Sequence, residues 1–159
     1  MSKDELTKLI EAHPDRGAMP VPCVLAFCMA ESSFKSYAIK YEDHYRWLVG
    51  DQATMRTGER LGQKHSWGLM QVMGAVAREL GFTGPFTDLW DPEIGIRYGM
   101  RLLKKLWSRY ENWPDVIASY NAGSPMKIDG KYKNQAYVDK VLAYWNEYET
   151  HVQLKSTEA

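Results

Sequence analysis

The chain has 159 residues, a length that suits one domain with a real hydrophobic core. Twenty acidic and twenty basic side chains cancel, which argues against a nucleic-acid protein working through bulk positive charge and against a polybasic membrane anchor. No apolar run is long enough to span a bilayer, and the charged start Met1-Ser2-Lys3-Asp4-Glu5 has no apolar signal-peptide core, so the expectation is synthesis in the cytoplasm without stable membrane insertion.

Leu6, Leu9 and Ile10 predict a short first helix, broken by His13-Pro14 and again by Met19-Pro20-Val21-Pro22. A second helix runs from Val21 to Phe34. At roughly 100° per residue, Val21, Val24, Cys28 and Glu31 fall in one narrow stripe, which puts the carboxylate on the core side at the helix end. Burial and the negative end of the helix dipole both disfavour the charged form there, raising the pKa and keeping a proton for general-acid work. The plainer reading of Glu31 is a partly exposed residue at a frayed end. Cys23 and Cys28 share this helix with Cα atoms about 8 Å apart, too far for a disulfide, and read as reduced core residues.

From Lys35 to Ser66 the pattern changes. Tyr37, Tyr41, Tyr45 and Trp47 alternate with charges and no apolar stripe is sustained, which predicts an irregular lobe or small β element with a short hairpin near Val49-Gly50-Asp51. After Trp67 to Met73 come a helix from Ala75 to Leu80 closed by Gly81, and a longer helix capped by Asp91 with Pro92 in its first turn. Ile94, Tyr98, Leu102, Leu103, Leu106 and Trp107 form its expected buried side. Pro114 introduces a helix over Val116 to Tyr120 that Asn121-Ala122-Gly123 stops, and a polar loop passes through Asp129-Gly130. The last helix has the cleanest period, with Val138, Val141, Leu142, Trp145, Tyr148 and Val152 at three- and four-residue steps. The chain is expected to be mainly α, one domain over 1–152 with a flexible tail over 153–159.

His13, His44, His65 and His151 are scattered without ligand spacing, so no metal is expected. With no GxGxxG, P-loop or GxSxG, no cofactor is expected and serine-hydrolase chemistry is not indicated. Four segments instead place polar side chains where patterning calls for core or termination: Glu31-Ser32, the SWGLMQ run from Ser66 to Gln71, the ASYNAG run from Ala118 to Gly123, and Tyr137-Val138. Each alone has a plain structural reading, as a turn, a solvated residue, a helix cap or a core-edge aromatic.

Together and in this order they resemble the soluble lytic transglycosylase domain, which shares its fold with goose-type lysozyme. ESSF matches the family's glutamate motif, GLMQ its second, SYNAG its third and YVDKV its fourth, and DLWDPEIGIRYGMRLL resembles the helix before the third. YEDHYRWL together with SWGLMQVMGAVARELGF is most similar to the phage and prophage endolysin branch. The resemblance implies a lysozyme-like helical domain that cuts the bond between N-acetylmuramic acid and N-acetylglucosamine in peptidoglycan. It makes Glu31 the catalytic acid and base, with Ser32 beside it. Gly68, Leu69, Met70 and Gln71 would line the groove, Met70 against a sugar face and Gln71 through its amide. Tyr120 and Asn121 would hold the glycan, and Tyr137 would hydrogen-bond to Glu31.

One carboxylate suffices for a route ending in a 1,6-anhydro sugar, whereas inverting hydrolysis needs a second roughly 6.5 to 9.5 Å away. The chain departs from compact members in lacking a proline after ESSF and in carrying Val72-Met73-Gly74 where many relatives have Pro-x-Thr. It also places thirty-six residues between Glu31 and Gly68. That interval contains Glu42, flanked by Tyr41 and Tyr45, which is the candidate second carboxylate of a hydrolytic muramidase. The same residues would also suit an inactive glycan-binding or structural module, or a chitin-directed enzyme. The expected partner is a peptidoglycan strand met by a monomer, after release through a phage pore or delivery in a virion.

Overall fold

The computed structural model describes the chain through Thr157 and its side chains through Thr150. It is mainly helical. Helix α1 spans Lys3–Ala12 and starts with a reciprocal cap, Ser2 accepting from the Glu5 N–H while Glu5 accepts from Ser2. Its Leu6 and Ile10 are fully buried against α2, Val21–Ser32.

Helix α2 differs from its expected form. Pro22, Cys23, Val24, Leu25, Ala26, Phe27 and Cys28 are all buried, so the helix is apolar all round and sheathed by its neighbours, where the sequence pattern suggested one stripe. Both cysteines are buried and unpaired. Polarity begins only in the last turn, at Glu31 and Ser32. The chain then reverses through two left-handed residues, Ser33 (φ 52°) and Phe34 (φ 63°), whose N–H groups return to Met29 O and Cys28 O.

The lobe is more ordered than an irregular segment. Strand β1, Ile39–Tyr41, pairs antiparallel with β2, His65–Trp67, and β2 pairs with β3, Val72–Met73, giving the order β1-β2-β3. Between β1 and β2 lies a helix that went unpredicted, α3, Thr57–Gln63. The hairpin expected at Val49-Gly50-Asp51 is absent. Val49 is instead held by the buried Gln63 amide, which accepts from Val49 N at 2.7 Å and donates to Val49 O at 2.9 Å.

Helix α4, Gly74–Glu79, follows β3 directly, and a 3-10 turn over Phe86–Trp90 leads into α5, Pro92–Tyr110. Asp91 caps α5 as expected, accepting from Glu93 N and Ile94 N. The inward face of α5 is Ile96, Tyr98, Met100 and Leu103; Trp107, expected in the core, is 39% exposed and lies against Trp113 with ring centres 4.7 Å apart. Helix α6, Trp113–Ala122, ends at Gly123 with φ 77°. The polar loop after it is a small hairpin, β4 Lys127–Ile128 and β5 Lys131–Tyr132, turning through Asp129 and Gly130 at φ 50° and 78°. Helix α7, Gln135–Thr157, buries Val138, Val141, Trp145 and Tyr148 and is the main partner of α2. Val152 and the expected tail lie outside the residues whose side chains are described.

Among the described residues no helix is long and apolar enough to cross a membrane, and no group of three or more His, Cys, Asp or Glu side chains could hold a metal ion.

Candidate active site

Packing α7 along α2 brings Tyr137, 106 residues away in sequence, onto the last turn of α2, where its hydroxyl donates to Glu31 Oε1. One turn further along α7, Lys140 donates to Ala30 O at 2.9 Å and lies over the Tyr137 ring. Burial raises the Glu31 carboxyl above the usual carboxylate range. The Tyr137 hydrogen bond and the charges of Lys140 and Lys40 pull it partly back, and Glu42 adds to the rise. Burial, with the charge of Glu31, drives the Tyr137 phenol far upward, so it acts as a proton-bearing donor throughout the ordinary pH range. The outcome is a carboxyl that holds its proton longer than a solvated one, beside a hydroxyl that steadies its ionised form.

Ser32 fixes the other side of the turn. Its buried hydroxyl lies 2.8 Å from Leu69 O and 3.0 Å from Cys28 O. Leu69 belongs to Gly68–Gln71, which is the four-residue loop of the β2–β3 hairpin. Gly68 and Gln71 both adopt left-handed backbone (φ 73° and 46°), and the Gln71 amide folds back to close the loop. It donates to Ala38 O and Gly68 O at 3.0 Å each and accepts from the Ser66 hydroxyl at 3.0 Å. Leu69 and Met70 point into the core, Met70 so tightly that a Cβ on Gly99 would lie 2.2 Å from its sulfur.

These placements correct the expected groove lining. Met70 presents no face to a sugar, Leu69 and Gly68 are buried, and the Gln71 amide is engaged internally. What the loop contributes is backbone: Leu69 O receives Ser32, and Met70 O receives the Tyr120 hydroxyl at 2.7 Å. Tyr120 packs on Phe27 with ring centres 4.7 Å apart, so its hydroxyl also serves the scaffold and only part of the ring is open. Asn121 is exposed, and its Oδ1 accepts from Asn134 at 3.0 Å.

Glu42 pairs with Lys40 at 2.8 Å, and both charges are close enough to act on Glu31. The site therefore has one sheltered carboxyl and one partly exposed, ion-paired carboxylate beyond it. Three contributors went unread in the sequence: Lys140, Lys40 and Asn134. Lys140 was accessible, since a residue three positions after Tyr137 on a helix shares its face. Asn134, which also donates to Ala118 O at 3.1 Å, sits just before α7 and carried no periodic signal.

The model of the transglycosylase SLT domain family matches residues 8–142, a span that takes in all four motifs. The chain belongs to that family. It is accordingly a peptidoglycan lytic transglycosylase with a lysozyme-like helical domain. Searches of curated proteins and of solved structures returned no match. Within this SLT domain the four motifs converge on one place: the first carries Glu31 and Ser32, the carbonyls of the second accept from Ser32 and from Tyr120 of the third, and the fourth hydrogen-bonds to Glu31.

The pairing of Glu31 with Tyr137 has a consequence with a defined sign. The Tyr137 hydroxyl stabilises the ionised carboxylate, so removing it moves the Glu31 pKa further upward. Tyr137→Phe is expected to lower kcat by about ten- to a hundredfold, the worth of a hydrogen bond to a charged group, while the alkaline limb of the pH–rate profile shifts to higher pH. Rates measured across the pH range on purified peptidoglycan check both; a limb moving to lower pH would contradict the assignment.

Proposed function

We propose that Glu31 cuts the β-1,4 bond between N-acetylmuramic acid and N-acetylglucosamine without consuming water, acting first as acid and then as base. Protonated Glu31 donates to the glycosidic oxygen as the bond to the muramic anomeric carbon breaks. The substrate's own N-acetyl group shields the oxocarbenium-like centre. Ionised Glu31, held by Tyr137 and favoured by the charge of Lys140, then takes the proton of the muramic C6 hydroxyl as that oxygen bonds to the anomeric carbon. The products are a free N-acetylglucosamine end and a 1,6-anhydro-muramic end, and Glu31 is again protonated. The supporting observation is a single sheltered carboxyl whose one hydroxyl partner stabilises its ionised state.

The exposed Asn121 side chain offers its N–H groups to the glycan, and the exposed rings of Tyr37 and Tyr41 offer faces on which pyranoses stack. Mass analysis of released muropeptides tests the reading, because an anhydro end is lighter than a hydrolysed end by one water.

Hydrolysis assisted by Glu42 is the second reading, favoured by the influence of its charge on Glu31. The Lys40 ion pair and its exposure weigh against it as the base. Glu42→Gln is expected to leave the anhydro product in place and cost less than the roughly hundredfold that loss of a general base carries. A larger loss, with hydrolysed ends in the wild type, would establish the second reading.

A further inference from the structure

Outside the Glu31 site, the lobe encloses an open basin of about 350 Å3 whose charge is unbalanced. Its wall carries three cations, Arg46, Arg60 and Lys64, against one carboxylate, Asp43, with Tyr45 and Leu48 as an apolar side. The cations are fixed without being neutralised. Lys64 donates to Asp43 O at 2.8 Å and Arg60 donates to Gln52 O, both uncharged carbonyls. Among the described residues Arg46 meets no hydrogen-bond acceptor or carboxylate. Elsewhere Arg78, Arg97 and Arg101 are each paired with an acid, Glu59, Glu93 and Asp15. Uncompensated cations in a concave, pre-shaped site are the arrangement that takes an anion, and a guanidinium suits a carboxylate through its fork of donors.

The basin and the Glu31 site are linked through Glu42. Glu42 N donates to Lys64 O at 2.9 Å, so the backbone that carries Lys64 is hydrogen-bonded to the residue whose charge reaches Glu31. A ligand spanning both sites must carry carboxylates at a short distance from the sugar chain. The lactyl group of the muramic sugar bears such a chain, a short peptide with free carboxylates and small apolar side groups. Resting on the glycan-cleaving reading above, we propose that the basin of Arg46, Arg60 and Lys64 binds a carboxylate of the peptide stem, with Tyr45 and Leu48 against its apolar part. Trp47, 73% exposed and edge-on to Tyr45 at 5.5 Å, stands beside it as a natural reporter.

Binding can be measured without catalysis. The tetrapeptide L-Ala-γ-D-Glu-meso-diaminopimelate-D-Ala is titrated onto the full chain while the NMR signals of the Arg46, Arg60 and Lys64 side chains and of the Trp47 indole are followed. The expected result is a saturable shift at all four that is lost when the peptide carboxylates are amidated. Arg46→Gln should weaken binding by about tenfold, the worth of one charge-assisted hydrogen bond, and Arg46→Lys should restore part of it. Equal binding of the amidated peptide, no saturable shift at the basin, or the same shifts from acetate at equal concentration would overturn the proposal. Cleavage of intact, stem-bearing peptidoglycan by the wild type is scored separately. Peptide binding without that cleavage leaves the basin standing and sinks the glycan-cleaving reading; cleavage without peptide binding does the reverse.

Discussion

Glu31→Gln is expected to abolish glycan cleavage, lowering kcat by at least about a thousandfold, within the range that a positioned acid contributes and with both its roles lost at once. The amide keeps the shape of the side chain and can still accept from Tyr137, so the fold is retained. Burial holds the Glu31 carboxyl above its usual range, so ionising it costs more in the folded chain than in the unfolded one. For a carboxyl raised in this way, the stability it lends is complete below the unfolded pKa and is lost as pH rises through the folded one. At neutral pH a permanently neutral amide avoids that loss, and the variant should melt no lower than the wild type. Release of anhydro-muropeptides from sacculi, with thermal melts at pH 4 and pH 7, measures both expectations. Residual cleavage above a few per cent would remove Glu31 from the reaction, and a melt several degrees below wild type at pH 7 would show that the carboxylate itself supports the fold.

The second large effect concerns a residue with no side chain. Gly68 combines φ 73° with a position where a Cβ would lie 2.2 Å from Leu89 O. The left-handed backbone alone costs an ordinary residue about 1–2 kcal/mol, and a clash with main chain cannot be relieved by rotating a side chain. Gly68→Ala is expected to destabilise by about 3 kcal/mol or more, a fall in melting temperature of about 6–12 °C for a chain of this size. Activity should fall with it, because displacing Gly68 disturbs its 2.8 Å bond to Ala38 O and moves the Leu69 carbonyl that holds Ser32. Denaturant melts and cleavage assays on the same preparation link the two. A melt unchanged by the alanine would show that the hairpin loop tolerates a wider turn than its contacts imply.

The helices were legible wherever a local chemical signal marked them. Asp91 with Pro92 and Gly123 punctuate α5 and α6 as read, and α7 was visible from Val138, Val141 and Trp145. The meeting of Glu31 with Tyr137 was expected from the family resemblance; no periodicity joins residues so far apart. Side-chain direction in the second motif was not legible. A four-residue hairpin loop has no period, so nothing in GLMQ tells that Leu69 and Met70 turn inward and that its carbonyls do the bracing. Helix α3 escaped for a related reason: TGERLGQ holds one large apolar residue and two glycines, and Leu61 is itself exposed. What secures it is tertiary, including the Gln63 clasp on Val49 and the Trp67 indole donating to Gly62 O. The hairpin at Asp129-Gly130 did carry a turn signal, but two-residue strands on either side gave no alternation to confirm it.

The bond from Tyr137 to Glu31 also orders events in time. A contact closing a loop of more than a hundred residues forms only after the intervening chain has collapsed and α7 has docked on α2. During synthesis the acid emerges early and its phenol partner late, so a nascent chain holds Glu31 without the hydroxyl that steadies its ionised form. With Glu31 in its proposed role, catalytic competence is a late folding event, acquired when α7 seats. Refolding followed by cleavage should lag behind refolding followed by secondary structure, and the length of that lag reports the docking of one helix.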